Sequence, residues 1–402
     1  MNIIVQKFGG TSVSTEERRN VVVDKICDAI AEGYSPVVVV SAMGRKGQPY
    51  ATDTLLSLID DEFKNNNKLA QDLLMCCGEI ISSVVLCKEL YKRGIEAIPL
   101  TGGQAGIYTD EKFTEAQPQN INPSRLISIL ENGKIPVVTG FQGMTNDGYF
   151  TTLGRGGSDT SACILGVALK ASEIDIYTDV DGIMTADPRM VKDASLIKEI
   201  TYNEVFQLAD QGAKVIHPRA VDTAKKGNVP LVIKNTMSDC SGTLIKNEIT
   251  KEHQRVITGI THLSDRIQII IRESDNKNNN VYRKLLGILA KNKISLDLIN
   301  IFPAHQMFTI NNSEFDTVMA ILNEAELIYS YEKNCTTIAI VGAGMKGVPG
   351  IAARAVGALS SNDIEILQTA DSNMTIWCLI NSENLNKAIN LLHEEFALSS
   401  IH

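Results

Sequence analysis

The chain is short of the features that most directly announce a chemistry. Its eight cysteines contain no C-x-x-C pair and its six histidines show no ligand spacing, which argues against a structural zinc site. Cysteines scattered in this way fit free thiols in a reducing compartment, expected to serve as small buried hydrophobes. No apolar run approaches the roughly 18 residues of a membrane span. The N-terminus has no basic segment ahead of an apolar core, so the expectation is a cytoplasmic protein with no membrane partner. Basic charge is not in excess, with 38 Lys and Arg against 47 Asp and Glu and a net charge of −9. That excludes an extended nucleic-acid surface but not a local basic pocket for a small anion. The GxxxxGK[ST] phosphate loop is also missing.

What is present begins within the first dozen residues. Ile3-Ile4-Val5-Gln6-Lys7-Phe8-Gly9-Gly10-Thr11-Ser12 runs a strand into a glycine turn with a lysine just before it. Such a turn exposes backbone N–H groups and lets a phosphate approach closely, and the lysine adds a full positive charge. Strand-like runs at 3–7, 36–41, 97–100, 135–140, 174–178 and 231–234 alternate with helical patterns at 16–32, 71–93, 123–131, 159–169, 202–209 and 218–226. This alternation predicts an α/β fold with a largely parallel sheet covered by helices, its ligands at the carboxyl ends of the strands. The length of 402 residues suggests two or three domains.

Three further segments carry chemistry. Ser41-Ala42-Met43-Gly44 ends a Val-rich strand and is followed by Thr52. Thr151-Thr152-Leu153-Gly154-Arg155-Gly156-Gly157-Ser158-Asp159 leads into an Ala/Leu helix. Ser158 or Asp159 is expected to cap that helix, its N-terminal N–H groups favour an anion, and Arg155 offers a planar fork for a carboxylate. The loop 178–189 could hold a nucleotide base and ribose, and Gly212-Ala213-Lys214-Val215-Ile216-His217-Pro218 brings a second lysine. His217, ahead of a proline and a helix, is expected to be structural.

Beyond Cys240 the pattern changes. A polar linker is expected over 247–253. A weak repeat then follows with an offset of 70 residues, pairing Leu286-Gly287-Ile288-Leu289 with Val356-Gly357-Ala358-Leu359 and Asn292 with Asn362. It predicts two small ferredoxin-like βαββαβ modules, 254–330 and 331–402, after a first domain 1–246. Gly342-Ala343-Gly344-Met345-Lys346-Gly347 matches GxGxxG, but only about 55 residues follow it, too few for a dinucleotide-binding domain.

The segments KFGGTSV (7–13), CGEI (77–80), TTLGRGGSDTSA (151–162), TDVDGIMTADPR (178–189) and GAKVIHPRA (212–220) resemble those of the aspartokinases, in the family's order. The paired modules resemble its two ACT regulatory domains, so the likeness spans nearly the whole chain. It is closest to the short monofunctional, diaminopimelate-sensitive type. The resemblance implies an amino-acid-kinase-type αβα sandwich that transfers a phosphoryl group from ATP, carrying Mg²⁺, to the side-chain carboxylate of L-aspartate. It implies catalytic roles for Lys7, Asp159 and Lys214. It implies a nucleotide site of Lys7, Phe8, Gly9, Gly10, Ser41, Thr178, Asp179, Met184, Arg189, Lys214 and Val215, with no protein metal cage. It places aspartate on Thr52, Glu79, Arg155, Gly156, Gly157 and Ser158. Met184 stands where many relatives carry an aromatic residue. In the first module the loop 273–280 lacks the Asp-x-Pro-Gly turn and 295–302 replaces the usual ending, whereas the second keeps Pro349-Gly350. In relatives the two modules are threaded together, so a C-terminal strand is expected to complete the first. The resemblance also implies an amino-acid effector at the ACT interface (lysine, threonine or diaminopimelate) and a homodimer or homotetramer. Two other readings are an amino-acid kinase with another acceptor, against which Glu79 and Arg155 weigh, and a non-catalytic amino-acid sensor, against which Lys7, Asp159 and Lys214 weigh.

Overall fold

The computed structural model describes residues 1–213, 215–272, 280–302, 305–345 and 347–399. They form two compact units. The first comprises 1–183, 196–209 and 215–253, and the second 184–195, 210–213 and the described residues from 254 onward. The last change of unit falls after His253, at the end of the stretch 247–253, and the first unit is assembled from three separate stretches of sequence. The two short stretches between them belong to the second unit.

The first unit is built on an eight-stranded sheet. Its order is Glu199–Thr201, Thr243–Lys246, Leu231–Asn235, Glu173–Thr178, Ile3–Phe8, Ser35–Val40, Ile135–Thr139 and Ala97–Leu100. Every pairing is parallel except that of Leu231–Asn235 with Thr243–Lys246. The expected strands and helices of this unit are all present, with ends shifted by at most three residues. The reason is visible in the residues. Val37 to Val40 are all fully buried, as a strand covered on both faces requires. Thr15 caps the helix Glu16–Ala31 by accepting from Arg18 N at 3.3 Å, with Glu16 and Glu17 in the first turn. A small second sheet (Pro118–Ile121, Ile107–Thr109, Gln142–Met144, Phe150–Thr152) was not expected. Strands of three or four residues are too short to display a period of two.

The central strand Ile3–Phe8 pairs with Ser35–Val40 on one side and Glu173–Thr178 on the other. The chain first builds outward in one direction and then returns to build in the other. The carboxyl end of Ile3–Phe8 is thus the topological switch point, where such sheets open a crevice.

The second unit contains a six-stranded antiparallel sheet in the order Asp297–Ile301, His305–Asn311, Gly259–Arg272, Ile328–Val341, Thr375–Asn381 and Gln368–Asp371. Two 14-residue strands, Gly259–Arg272 and Ile328–Val341, run through both modules, with an irregularity between Leu263 and Arg266. One end serves a core around Ile267, Ile269, Leu289, Phe308 and Val318. The other serves a core around Ile260, Ile338, Ile340, Cys378 and Leu392, which also takes in Ala186 and Val191. Among the described residues no strand follows Thr375–Asn381 in the sequence. Gly259–Leu263, the opening part of the first long strand, pairs with Thr337–Val341, the closing part of the second. The local register shift lets one strand feed two cores.

The internal repeat survives at its caps. Asn311 and Asn381 each accept from the backbone N–H two residues on, at 2.9 and 3.1 Å. Lys293 and Asp363 both have positive φ, 58° and 59°, just after a helix. The GxGxxG glycines have a packing explanation. A side chain on Gly342 would meet Val256 O at 2.0 Å, and one on Gly344 would meet Arg255 O at 2.6 Å. All eight cysteines are free, four buried and four half-buried. Among the described residues no helix is long and apolar enough to cross a membrane.

Ile338→Ala should weaken the second unit by about 2–5 kcal/mol, read as a lower urea midpoint. Ile288→Ala, at a 38% exposed position, should stay within about 0.5 kcal/mol. Equal shifts would contradict this placement of the core.

Candidate active site

The switch-point crevice collects the motif residues of the first unit. Lys7 is the penultimate residue of the central strand, and its Nζ lies 2.6 Å from Asp159 Oδ1. Both side chains are mostly buried, so the pair is less screened than a surface bridge. A side chain on Gly9 would begin 3.7 Å from Lys7 Nζ, which places the ammonium over the glycine turn. Gly10 is required by a close approach of backbone. A Cβ there would sit 2.5 Å from Ala42 O and 2.9 Å from Gly44 O, and Gly44 N donates to Gly10 O at 2.9 Å. The loop after Ser35–Val40 is thereby laid against the glycine turn, with Ser41 N bonded to Phe8 O at 3.2 Å.

Asp159 belongs to the helix Gly157–Ala168, whose N-cap is Gly156 with φ 66° and no side-chain cap. The expectation that Ser158 or Asp159 caps this helix is therefore not met, because both lie inside its first turn. A side chain at Gly156 would collide with the His217 side chain at 2.2–2.7 Å, and one at Gly157 with Phe141. Glycine at these positions lets the helix start beneath His217, leaving first-turn N–H groups for an anion. His217 is structural, as expected. It caps the helix Pro218–Gly227, and its Nδ1 accepts from Arg219 N at 3.3 Å. Burial lowers its pKa, with Arg219 and Arg155 adding to the effect and Asp159 opposing it.

Glu79 sits on the long helix Lys68–Lys92 and is 2% exposed. Its Oε1 accepts from Ala42 N at 3.1 Å, while Oε2 has no hydrogen-bond partner among the described residues. Burial pushes its carboxyl up to about 8. Gly78 beside it lets the helix approach Ala42 Cβ and Tyr50 O. Arg155 projects from the loop as an exposed guanidinium with no partner among the described residues.

Other expected residues stand differently. Phe8 is wholly buried and stacked on Tyr177 at 4.7 Å, so it offers a ligand backbone only. Thr178 ends its strand, and Asp179 is paired with Arg45 at 2.5 Å. Thr52 starts a short helix and Val215 is half-buried. Met184 and Arg189 fall in the second unit, where Arg189 closes bidentately on Asp187. Lys214 lies outside the described residues, as does the first-module loop 273–279.

Sequence reasoning missed Asp72. It is fully buried on the same helix as Glu79 and accepts from Thr114 N at 2.9 Å, Thr152 N at 2.8 Å and Thr152 Oγ1 at 2.8 Å. Its spacing of seven residues from Glu79, two helical turns on one face, is the signal that was available. Arg219 was also missed, with Nη1 donating to Leu153 O at 2.6 Å.

This geometry defines an amino-acid kinase unit joined to a regulatory unit of the ACT kind. The amino acid kinase family profile matches residues 2–235 and the ACT domain profile residues 330–394. Aspartokinase 1 of Bacillus subtilis is 45% identical over 404 residues, covering 99% of this chain and all of the relative. The aspartokinase of Geobacillus stearothermophilus is 39% identical, covering 99% and 98%. The structure of Escherichia coli aspartokinase III in complex with aspartate and ADP superposes with a TM-score of 0.80 at 25% identity, covering 98% of this chain and all of that one. The chain belongs to the aspartokinase family. Its reaction is transfer of the ATP γ-phosphoryl group to the side-chain carboxylate of L-aspartate, giving 4-phospho-L-aspartate.

Glu79 gives the ligand-free protein a pH signature. Its folded pKa of about 8 exceeds the ordinary 4.5, so folding favours the protonated form. That contribution is fully present below 4.5 and is lost as pH rises through about 8. Glu79→Gln should flatten this part of the profile of urea midpoint against pH. An unchanged slope would mean that Glu79 is not desolvated.

Proposed function

We propose that the crevice binds ATP and L-aspartate with the roles that follow, and the observation that carries the reading is the Lys7–Asp159 pair over the Gly9-Gly10 turn. Lys7 and the N–H groups of Gly9 and Gly10 receive the phosphates, Asp159 holds the Lys7 ammonium in place, and Lys214 supplies a second cation. A side-chain carboxylate is already ionised near neutral pH, so the acceptor needs no general base. Catalysis then rests on positioning and on stabilising charge as the phosphoryl group moves. The residues gathered here suit that task, being cationic and N–H-rich.

Arg155 takes the α-carboxylate of aspartate in its guanidinium fork, and the helix start at Gly156 and Gly157 brings the N–H of Ser158 beside it as a further donor. Glu79 takes the α-ammonium. Its unpartnered Oε2 supports this role, because an arriving cation favours the ionised carboxylate that burial alone disfavours. Ser41 and Thr52 complete the pocket. Thr178, Asp179 and Val215 belong to the nucleotide side. The donor set fits Mg²⁺ brought in by the nucleotide, whose phosphates supply the oxygen ligands that lysines and N–H groups cannot.

The ACT modules bind an end-product amino acid that adjusts activity, and the chain assembles through them as a homodimer or homotetramer. We place the chain in the cytoplasm.

Hydroxylamine trapping of the acyl phosphate tests the reaction. Signal should require ATP, Mg²⁺ and L-aspartate and be absent with L-glutamate, and it should fall with lysine, threonine or diaminopimelate. No signal from folded protein that binds ATP would overturn the assignment. Lys7→Ala should lower kcat on the order of 10²–10³-fold, the usual effect of removing a preorganised charge stabiliser, without loss of folding. Near-normal turnover would remove Lys7 from the catalytic role.

A further inference from the structure

The loop that carries Arg155 has a stem fixed at nearly every polar atom and a tip that is free. Thr152 N and Oγ1 both donate to Asp72, at 2.8 Å each, and Thr152 O accepts from Ala116 N at 2.9 Å. Leu153 N donates to Phe141 O at 2.8 Å, and Leu153 O accepts from Arg219 Nη1 at 2.6 Å. Gly154 then turns with φ 73°, and its carbonyl accepts from Gly157 N at 3.0 Å. Only Arg155, between two left-handed glycines, is left without a partner among the described residues.

Asp72 is a costly way to hold a loop. An ionised carboxylate with no solvent exposure carries a desolvation penalty that a neutral side chain would avoid. Its two oxygens meet donors from two separate segments, Thr114 and Thr152, and Thr114 itself has φ 74°. One rigid helix therefore carries Asp72, which fixes the Arg155 loop, and Glu79, which fixes Ala42. The arms for the two charged groups of an α-amino acid are set from a single element. Arg219, from a different helix, holds the next residue of the stem and also reaches Gln117 at 3.3 Å.

We propose that Asp72 and Arg219 are positioning residues that act through Arg155. They clamp the Thr152–Leu153 stem so that the guanidinium meets the α-carboxylate of the acceptor in one place, and so set the enzyme's grip on its amino-acid substrate rather than on ATP. This rests on the reading that Arg155 receives that carboxylate.

The test uses the full-length enzyme with both substrates varied. Asp72→Asn keeps the shape but turns an N–H₂ toward donors, and Arg219→Ala removes the donor to Leu153 O. Each should raise KM for L-aspartate about 10- to 100-fold, the scale of a misplacement near 1 Å, with KM for ATP within about twofold of the parent. Thr152→Ser, which keeps the hydroxyl, should be near normal, whereas Thr152→Val should resemble Asp72→Asn. In an Arg155→Ala background neither Asp72→Asn nor Arg219→Ala should raise KM for aspartate further, because residues acting through one group are not additive. Additive effects, or equal changes in both KM values, would overturn the clamp. If Arg155→Ala alone leaves KM for aspartate unchanged, the role given to Arg155 fails first and the clamp falls with it. Should Asp72→Asn not fold, Arg219→Ala and the Thr152 pair decide the matter.

Discussion

The ion pair between Lys7 and Asp159 is the contact on which the proposed catalytic geometry depends. It joins the end of the central strand to the first turn of a helix more than 150 residues later in the chain. Without a partner, a lysine this poorly exposed would bear the desolvation of its charge alone. With the pair, the ammonium is held over the glycine turn, and Asp159 sits where a helix dipole favours negative charge. Gly10 makes the arrangement possible from below, since a single methyl group there would push the Ala42–Gly44 loop away. The backbone donors of the glycine turn and the ammonium then share a few ångströms of space, the setting that the proposed phosphate site calls for.

The second unit has a different logic. Its two long strands each serve two hydrophobic cores, so neither module is a closed folding unit with its own sheet. Its core also incorporates Ala186 and Val191, and Thr185 is hydrogen-bonded to His393 at 2.9 Å. These stretches come from within the kinase sequence, and the chain passes between the units five times. The residues immediately before Lys214 and those soon after Asp179 thus belong structurally to the regulatory unit.

Much of the catalytic unit was legible because its signals are local. Valine runs, helix caps and glycine turns report on their own neighbourhoods, and they located the strands and helices and brought Lys7, Asp159 and Arg155 into view, whereas Glu79 entered only through the family resemblance of its CGEI segment. What escaped was long-range. Asp72 looks like any helical carboxylate until Thr114 and Thr152 arrive from 42 and 80 residues away. Arg219 looks like a helix-start residue until Leu153 is placed beside it. The capping role expected of Ser158 or Asp159 failed because Gly156 can enter the left-handed region and start the helix earlier. That the modules share their two long strands was hidden for a similar reason, since a strand shared by two cores shows the same alternation as a strand that serves one.

The chain contains a single tryptophan. Trp377 lies on a strand of the second module, and its indole N–H donates to Gln211 Oε1 at 2.8 Å, within the stretch 210–213 that leads directly to Lys214. Indole emission depends on the polarity and hydrogen bonding around the ring. The molecule therefore carries its own optical probe at the junction where regulatory sequence hands the chain back to catalytic sequence, and it does so with no competing fluorophore of the same kind.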